Sequence, residues 1–268
     1  MKYRFGFVGA GNMASAIIET ISNLDYIKPE DIYIYDVDPE KIEKFTKCGM
    51  KRSDSYNDLF KKCDFVFICV KPQVFKTNAE IFKIDNSDVK CIVTIMAGIT
   101  IENVKKTIGN YPVIRIMPNT PMLVGEGASA LVKESDVPDQ IFNIVFDIFN
   151  SCGTAVVVSE DNISAVTALS GSGPAYFFKF ARAAIKEAVS EGLNESDALS
   201  LLCQTMTGSA KMLENSGKSA DELIDMVTSP GGTTLAASVS FDNDDFEGSI
   251  SRAMLACRNR ADELGKDL

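Results

Sequence analysis

The chain has 268 residues and no histidine. Histidine is the commonest general acid/base and transition-metal ligand near neutral pH. Any chemistry here therefore falls to hydroxyls, carboxylates, lysines, thiols or a bound cofactor. The seven cysteines (Cys48, Cys63, Cys69, Cys91, Cys152, Cys203 and Cys257) form an odd set with no CxxC pair. That argues against a disulfide framework or a zinc knuckle, and no metal-ligand cluster is expected. Most of these cysteines read as small core hydrophobes.

Four constellations remain. The first is Gly9, Ala10, Gly11, Asn12, Met13 and Ala14, which follows the run YRFGFV and opens a helical stretch. This is the GxGxxA form of the dinucleotide fingerprint. Its first glycine permits a tight turn and its second admits a pyrophosphate to the backbone. The small third residue lets helix and strand pack, with the helix N-terminus facing the phosphates. Gly9, Ala10, Gly11, Asn12 and Met13 are accordingly expected to contact a cofactor.

The second is Asp36, at the end of the next strand-like run and at a slightly long interval from the glycines. A carboxylate there bonds an NAD ribose and repels a 2′-phosphate. The competing readings are a solvated aspartate opening the turn before Pro39, or the same role taken by Asp38. The third is a set of similar strand ends: Val70, Lys71 and Pro72; Ala97 and Gly98; and Met117, Pro118, Asn119, Thr120 and Pro121. Ligands of open α/β sheets bind at the carboxyl edge of the strands. Val70, Lys71, Pro72, Ala97, Gly98 and Asn119 are therefore expected to line a cleft, and the two prolines around Asn119 predict a rigid loop. The fourth is Val227 to Leu235, VTSPGGTTL, between two helical stretches. It either presents N–H groups and hydroxyls to a carboxylate at a helix N-terminus, or is an ordinary helix–helix turn capped by Thr233.

The elements that position these residues fall into two regions. The first alternates strand-like runs (YRFGFV, DIYIYD, DFVFICV, VKCIVTIM, YPVIRIM) with helical stretches such as Ala14 to Leu24 and Pro39 to Lys47. That pattern predicts βαβ units around a mostly parallel sheet covered on both faces, an α/β Rossmann-like domain over residues 1–159. ASALV and TAVVVS, separated by a helix over Pro138 to Asn150, extend the sheet at its far edge. Residues 160–268 lose the strand-like runs and carry apolar residues at helical spacing, predicting an all-helical domain. Asp161 and Ser196 are expected N-caps, and Gly192 and Gly217 expected helix stops. Gly171, Ser172, Gly173 and Pro174 interrupt the first long helix, which must bend there or bring its backbone close to something.

Lys+Arg of 27 against Asp+Glu of 37 gives a net charge of −10 with no basic cluster, so nucleic acid is not an expected partner. The apolar run after Lys2 and Arg4 is only a strand long and ends in glycines, unlike a leader peptide. No segment approaches the roughly 18 apolar residues of a membrane span. A cytoplasmic protein is expected.

Five motifs in order, GFVGAGNMA, VKPQ, RIMPNTP, ALSGSGPAYFF and VTSPGGTT, resemble those of the pyrroline-5-carboxylate reductase family, and the resemblance covers nearly the whole chain. It implies a Rossmann domain followed by a helical dimerisation domain. The implied reaction is hydride transfer from NADPH or NADH to the C=N carbon of L-Δ1-pyrroline-5-carboxylate, giving L-proline, the last step of proline synthesis. It also implies that the substrate carboxylate lies on Ser229, Gly231, Gly232, Thr233 and Thr234, with the Thr234 hydroxyl beside the ring nitrogen as the catalytic group. An assembly of interleaved homodimers, or a larger ring built from them, belongs to the same implication. The chain departs from the family pattern twice. Tyr56 stands where an adenosine-contacting Asn is common, leaving Asn57 as the expected contact, and Asp36 stands where small or basic residues are common, which leans the reading toward NADH. A β-hydroxyacid dehydrogenase is the alternative, but the position for its base, after Ser170 to Pro174, holds Ala175, Tyr176, Phe177 and Phe178.

Overall fold

The computed structural model describes residues 3–84 and 87–266, so Lys2 lies outside them. Strand β1 (Phe5–Val8) lies between β2 (Ile32–Tyr35) and β4 (Phe65–Ile68), and the full order is β3-β2-β1-β4-β5-β6-β7-β8. The remaining strands are β3 (Lys51–Arg52), β5 (Cys91–Thr94), β6 (Val113–Met117), β7 (Gly127–Lys133) and β8 (Gly153–Val157). β1 to β6 run parallel to one another, with Phe5 beside Phe65 and Phe7 beside Phe67. Those ring pairs stack at 5.3 and 4.7 Å between centroids.

Side chains alternate across each strand, so both sheet faces need cover. Phe5 and Phe7 pack with α1 (Asn12–Ser22), α2 (Glu40–Lys47) and α7 (Asp139–Asn150). Val8, on the other face, packs with α3 (Tyr56–Lys62), α4 (Pro72–Thr77), α5 (Ala79–Phe82) and α6 (Ile101–Ile108). Helix α1 is amphipathic and fully buries Ile17, Ile18 and Ile21, each worth about 2 kcal/mol relative to exposure.

Two features differ from the reading of the sequence pattern. β3 is only two residues long and both are exposed, so it carries no hydrophobic signal. β7 pairs antiparallel with β6, whereas β8 pairs parallel with β7. Only the short 3₁₀ turn Thr120–Val124 joins β6 to β7, and a parallel return needs a crossover of about a dozen residues.

Beyond β8 the chain is helical. A 3₁₀ turn (Glu160–Asn162) leads into α8 (Ile163–Val166), a π-helical turn (Thr167–Gly171) and α9 (Gly173–Ser190). There follow α10 (Glu195–Asn215), α11 (Ala220–Val227), α12 (Thr233–Asn243) and α13 (Phe246–Gly265). The expected N-caps shift. Asn194, not Ser196, caps α10, and Asp161 sits inside the 3₁₀ turn, with Asn162 at the cap of α8. Gly192 and Gly217 do end helices, at φ +98° and +69°. The expected interruption is the π turn, and it is also a close approach, since a Cβ on Gly171 would lie 3.2 Å from the Met117 sulfur.

The chain divides into two compact units, one running to Pro174 and resuming at Ala256, the other Ala175–Leu255. In the second unit Ala198 alone is buried, while Phe177, Phe178 and Leu201 are each more than 60% exposed.

Candidate functional site

The loops after β1, β2 and β4 converge on a cavity of about 320 Å³ at the carboxyl edge of the sheet. Gly9 turns the chain out of β1 at φ +97°, its N–H donating to the Tyr35 carbonyl at 2.8 Å. A Cβ there would stand 3.1 Å from the Cys69 carbonyl carbon and oxygen, so only glycine fits. At Gly11 the same construction meets nothing within 4 Å. Gly11 is the N-cap of α1 and supplies no side chain to its first turn. Orphan N–H groups at an open helix N-terminus suit a pyrophosphate.

Asp36 follows β2 and lines the same cavity. Its Oδ2 accepts from the Ala10 N–H at 2.7 Å and its Oδ1 from the Asp38 N–H at 2.9 Å. The carboxylate thus fixes the middle of the glycine turn while holding negative charge in the cavity wall. Lys41 reaches both Asp36 and Asp38 at 3.7 Å, a contact long enough to leave its ammonium adaptable. Sequence reasoning did not single out Lys41. Val70 and Lys71 line the opposite side, and Pro72 begins α4 with Lys71 at its N-cap. Cys69 also lines the cavity, and burial pushes its thiol above the usual range, so it stays neutral near pH 7.

Of the other expected cofactor residues, Asn12 and Met13 open α1 beside the cavity. Asn57 is exposed on α3 and is not part of the wall, whereas its neighbour Tyr56 is buried in it. Burial, then the nearby Tyr35, raises the Tyr56 phenol above its ordinary pKa. A periodicity argument could have found Tyr56, because Leu59 and Phe60 share its inward helix face. Ala97 is partly buried, outside the cavity lining. Gly98 has a packing reason to be glycine. Its φ is +77°, and a Cβ would lie 2.6 Å from the Leu264 Cβ and 2.8 Å from the Ala261 carbonyl of α13. Asn119 is buried, with both halves of its amide bonded to protein.

The second candidate is the loop from Ser229 to Gly232 between α11 and α12. Thr228, just before it, donates its hydroxyl back to the Ile224 carbonyl at 2.7 Å. Gly231 takes φ +71°, and the Gly232 N–H donates to the Ser229 carbonyl at 2.9 Å. A Cβ on Gly232 would sit 2.4 Å from Ser229 Oγ, so a side chain there would displace that hydroxyl. Gly232, not Thr233, is the N-cap of α12, and no side chain caps the helix. Among the described residues, no hydrogen bond within the chain takes the hydroxyls of Ser229, Thr233 or Thr234, and all three residues are exposed. An uncapped N-terminus with three available hydroxyls can hold a carboxylate by N–H donation and leave an O–H for further bonding.

The glycine turn, open helix terminus and strand-end carboxylate on a mostly parallel sheet define a Rossmann-type oxidoreductase using a nicotinamide cofactor. Residues 4–98 match the family model for NADP oxidoreductase, coenzyme F420-dependent, and residues 160–264 match that for pyrroline-5-carboxylate reductase dimerisation. Pyrroline-5-carboxylate reductase of Escherichia coli K12 is 33% identical, over 99% of this chain and 100% of its own length. The solved pyrroline-5-carboxylate reductase of Coxiella burnetii is 32% identical, covering 99% of this chain and 100% of that one with a TM-score of 0.87. A Plasmodium falciparum pyrroline carboxylate reductase with NADP bound is 28% identical over 98% of each chain, at TM-score 0.88. The chain belongs to the pyrroline-5-carboxylate reductase family.

Proposed function

We propose that the chain reduces L-Δ1-pyrroline-5-carboxylate to L-proline with NAD(P)H. The observation that carries this reading is the uncapped N-terminus of α12 with its available hydroxyls, in a chain that also holds a cavity lined by a dinucleotide-type glycine turn. The cavity residues fit a dinucleotide: Gly9 makes the tight turn, the open space at Gly11 can take the pyrophosphate, and Asp36 and Tyr56, which line the same cavity, support a ribose contact there. When bound, a reduced nicotinamide supplies the hydride.

The chain's own part is to bind, orient and handle one proton. The Gly232 to Thr234 backbone and the Ser229 and Thr233 hydroxyls take the substrate carboxylate. The Thr234 hydroxyl meets the ring nitrogen, accepting from the protonated imine and donating to the amine as it forms. No group needs to change ionisation, which suits a chain without histidine. A protonated imine already carries the positive charge that draws a hydride, so orientation and electrostatics suffice.

The carboxylate of Asp36 in the cavity wall supports use of NADH at least as readily as NADPH, because a 2′-phosphate there meets like charge. No helix among the described residues is long and apolar enough to cross a membrane, and we read the protein as cytoplasmic. We keep residues 1–159 and 160–268 as the functional division. It is supported by where the sheet ends, at Val157, and by where the dimerisation match begins. The assembly we infer is a homodimer, with a ring of dimers as its larger form.

The test is the fall in NADH and NADPH absorbance when pyrroline-5-carboxylate is added, with and without a chelator. Chelator-insensitive turnover supports the reading. Turnover of a hydroxy acid but not of the pyrroline overturns it in favour of a β-hydroxyacid dehydrogenase.

A further inference from the structure

In a regular α-helix the Ser170 carbonyl would accept from the N–H four residues on, and that residue is Pro174, which has none. The helix widens just there, with the Ser172 N–H reaching back five residues to the Thr167 carbonyl at 2.8 Å. The missing donor comes from the other side of a loop. Asn119 Nδ2 donates to the Ser170 carbonyl at 3.1 Å, and Asn119 Oδ1 accepts from the Ala128 N–H at 2.8 Å. Its side chain thus joins the loop after β6, the first residues of β7 and the π turn. Gly171 seals the same contact, where a Cβ would press on the Met117 sulfur.

We propose that Asn119 is a positioning residue, whose amide replaces the hydrogen bond Pro174 denies to Ser170 and so locks the Met117–Pro121 loop onto the π turn. That loop leaves β6 at the sheet edge from which the loops after β1 and β4 line the cofactor cavity. Rigid placement of such a loop governs the alignment of reacting groups more than the binding of a cofactor's adenosine end. Misplacement of about 1 Å can cost roughly a hundredfold in rate. The motifs RIMPNTP and SGSGP then form one device, the proline removing a donor and the asparagine supplying it. This inference rests on the reductase reading for its kinetic arm only.

Two measurements on the full chain test it. In the kinetic arm, Asn119→Ala lowers kcat about ten- to a hundredfold while KM for the cofactor changes little. Asn119→Asp, which keeps the acceptor for Ala128 but opposes the Ser170 carbonyl with a second oxygen, is no better than alanine. In the folding arm, which needs no activity, Pro174→Ala supplies a backbone N–H to Ser170. Asn119→Ala should then lower the denaturation midpoint less than half as much in the Pro174→Ala background as in the wild type. If Asn119→Ala alone fails to fold, a folded double variant supports the device and an unfolded one overturns it. Wild-type kcat in Asn119→Ala, wild-type behaviour of Asn119→Asp, or strict additivity with Pro174→Ala would each contradict it. A wild-type protein with no pyrroline turnover would refute the reductase reading, while the folding arm still decides the role of Asn119.

Discussion

Thr234 separates catalysis from folding most cleanly among single residues. Its hydroxyl is exposed and has no partner within the chain among the described residues, so its removal should leave the melting temperature almost unchanged. Thr234→Ala should nevertheless lower kcat/KM about ten- to a thousandfold, the scale of a lost hydrogen bond or proton partner. Thr234→Ser should retain more activity than alanine, and wild-type kinetics in Thr234→Ala would remove its assigned role. Asp36 has two functions that one substitution should reveal together. Asp36→Ser removes like charge from the expected ribose site and takes away one of the two carboxylates that Lys41 reaches, so the kcat/KM ratio of NADPH to NADH should rise on the order of tenfold or more. It also removes the anchor of the Ala10 N–H, so activity with NADH should fall. An unchanged ratio would mean that the carboxylate only shapes the turn. Gly9 was legible in sequence because a local steric rule demands it, its Cβ having no room beside Cys69. Gly98 and Asn119 also meet Leu264 and Ser170, and the sequence could not show these contacts because the partners are remote along the chain.

At the scale of elements, periodicity revealed the strands and helices whose burial is continuous, such as β1, β4 and α1. It could not show β3, which buries nothing, or the reversal of β7, which depends on a connection too short for a crossover. Nor could it show what joins the sheet to the helices that follow. Arg115 of β6 is 95% shielded, and its guanidinium donates to Glu160 Oε1 at 2.8 Å. The same oxygen accepts from the Ile101 N–H, at the start of α6, at 2.8 Å. Glu160→Ala would leave the Arg115 charge buried without its carboxylate and should destabilise by about 3 kcal/mol, the lower end for a broken buried pair because Glu160 is itself partly exposed. Chemical denaturation checks this, and a loss below about 0.5 kcal/mol would class the pair with ordinary surface bridges.

For the whole molecule, the second compact unit decides the assembly. Helix α10 is 21 residues long and buries only Ala198, and α11 and α12 bury nothing. A unit with so little core of its own cannot offset the conformational entropy of folding. Its exposed Phe177, Phe178 and Leu201 suit the apolar interface of the homodimer we infer. Light scattering at micromolar concentration should report at least two chains per particle, and Phe178→Glu should lower that mass or the yield of folded protein. A stable monomer would contradict the inferred dimer. The sequence showed that this region is helical and apolar, but the partner that covers those faces in the inferred dimer leaves no mark in the periodicity of one chain.

If the chain moves a hydride to the imine carbon of pyrroline-5-carboxylate, a labelled cofactor will carry its label into the product. NADH or NADPH carrying deuterium at the transferring position of the nicotinamide is mixed with the protein and substrate, and the product is examined by mass spectrometry and NMR. The expected product is L-proline with one deuterium on the δ carbon, formed one for one with oxidised cofactor and strongly reduced in Thr234→Ala. Cofactor consumed without labelled proline, or no consumption with either cofactor, would contradict it.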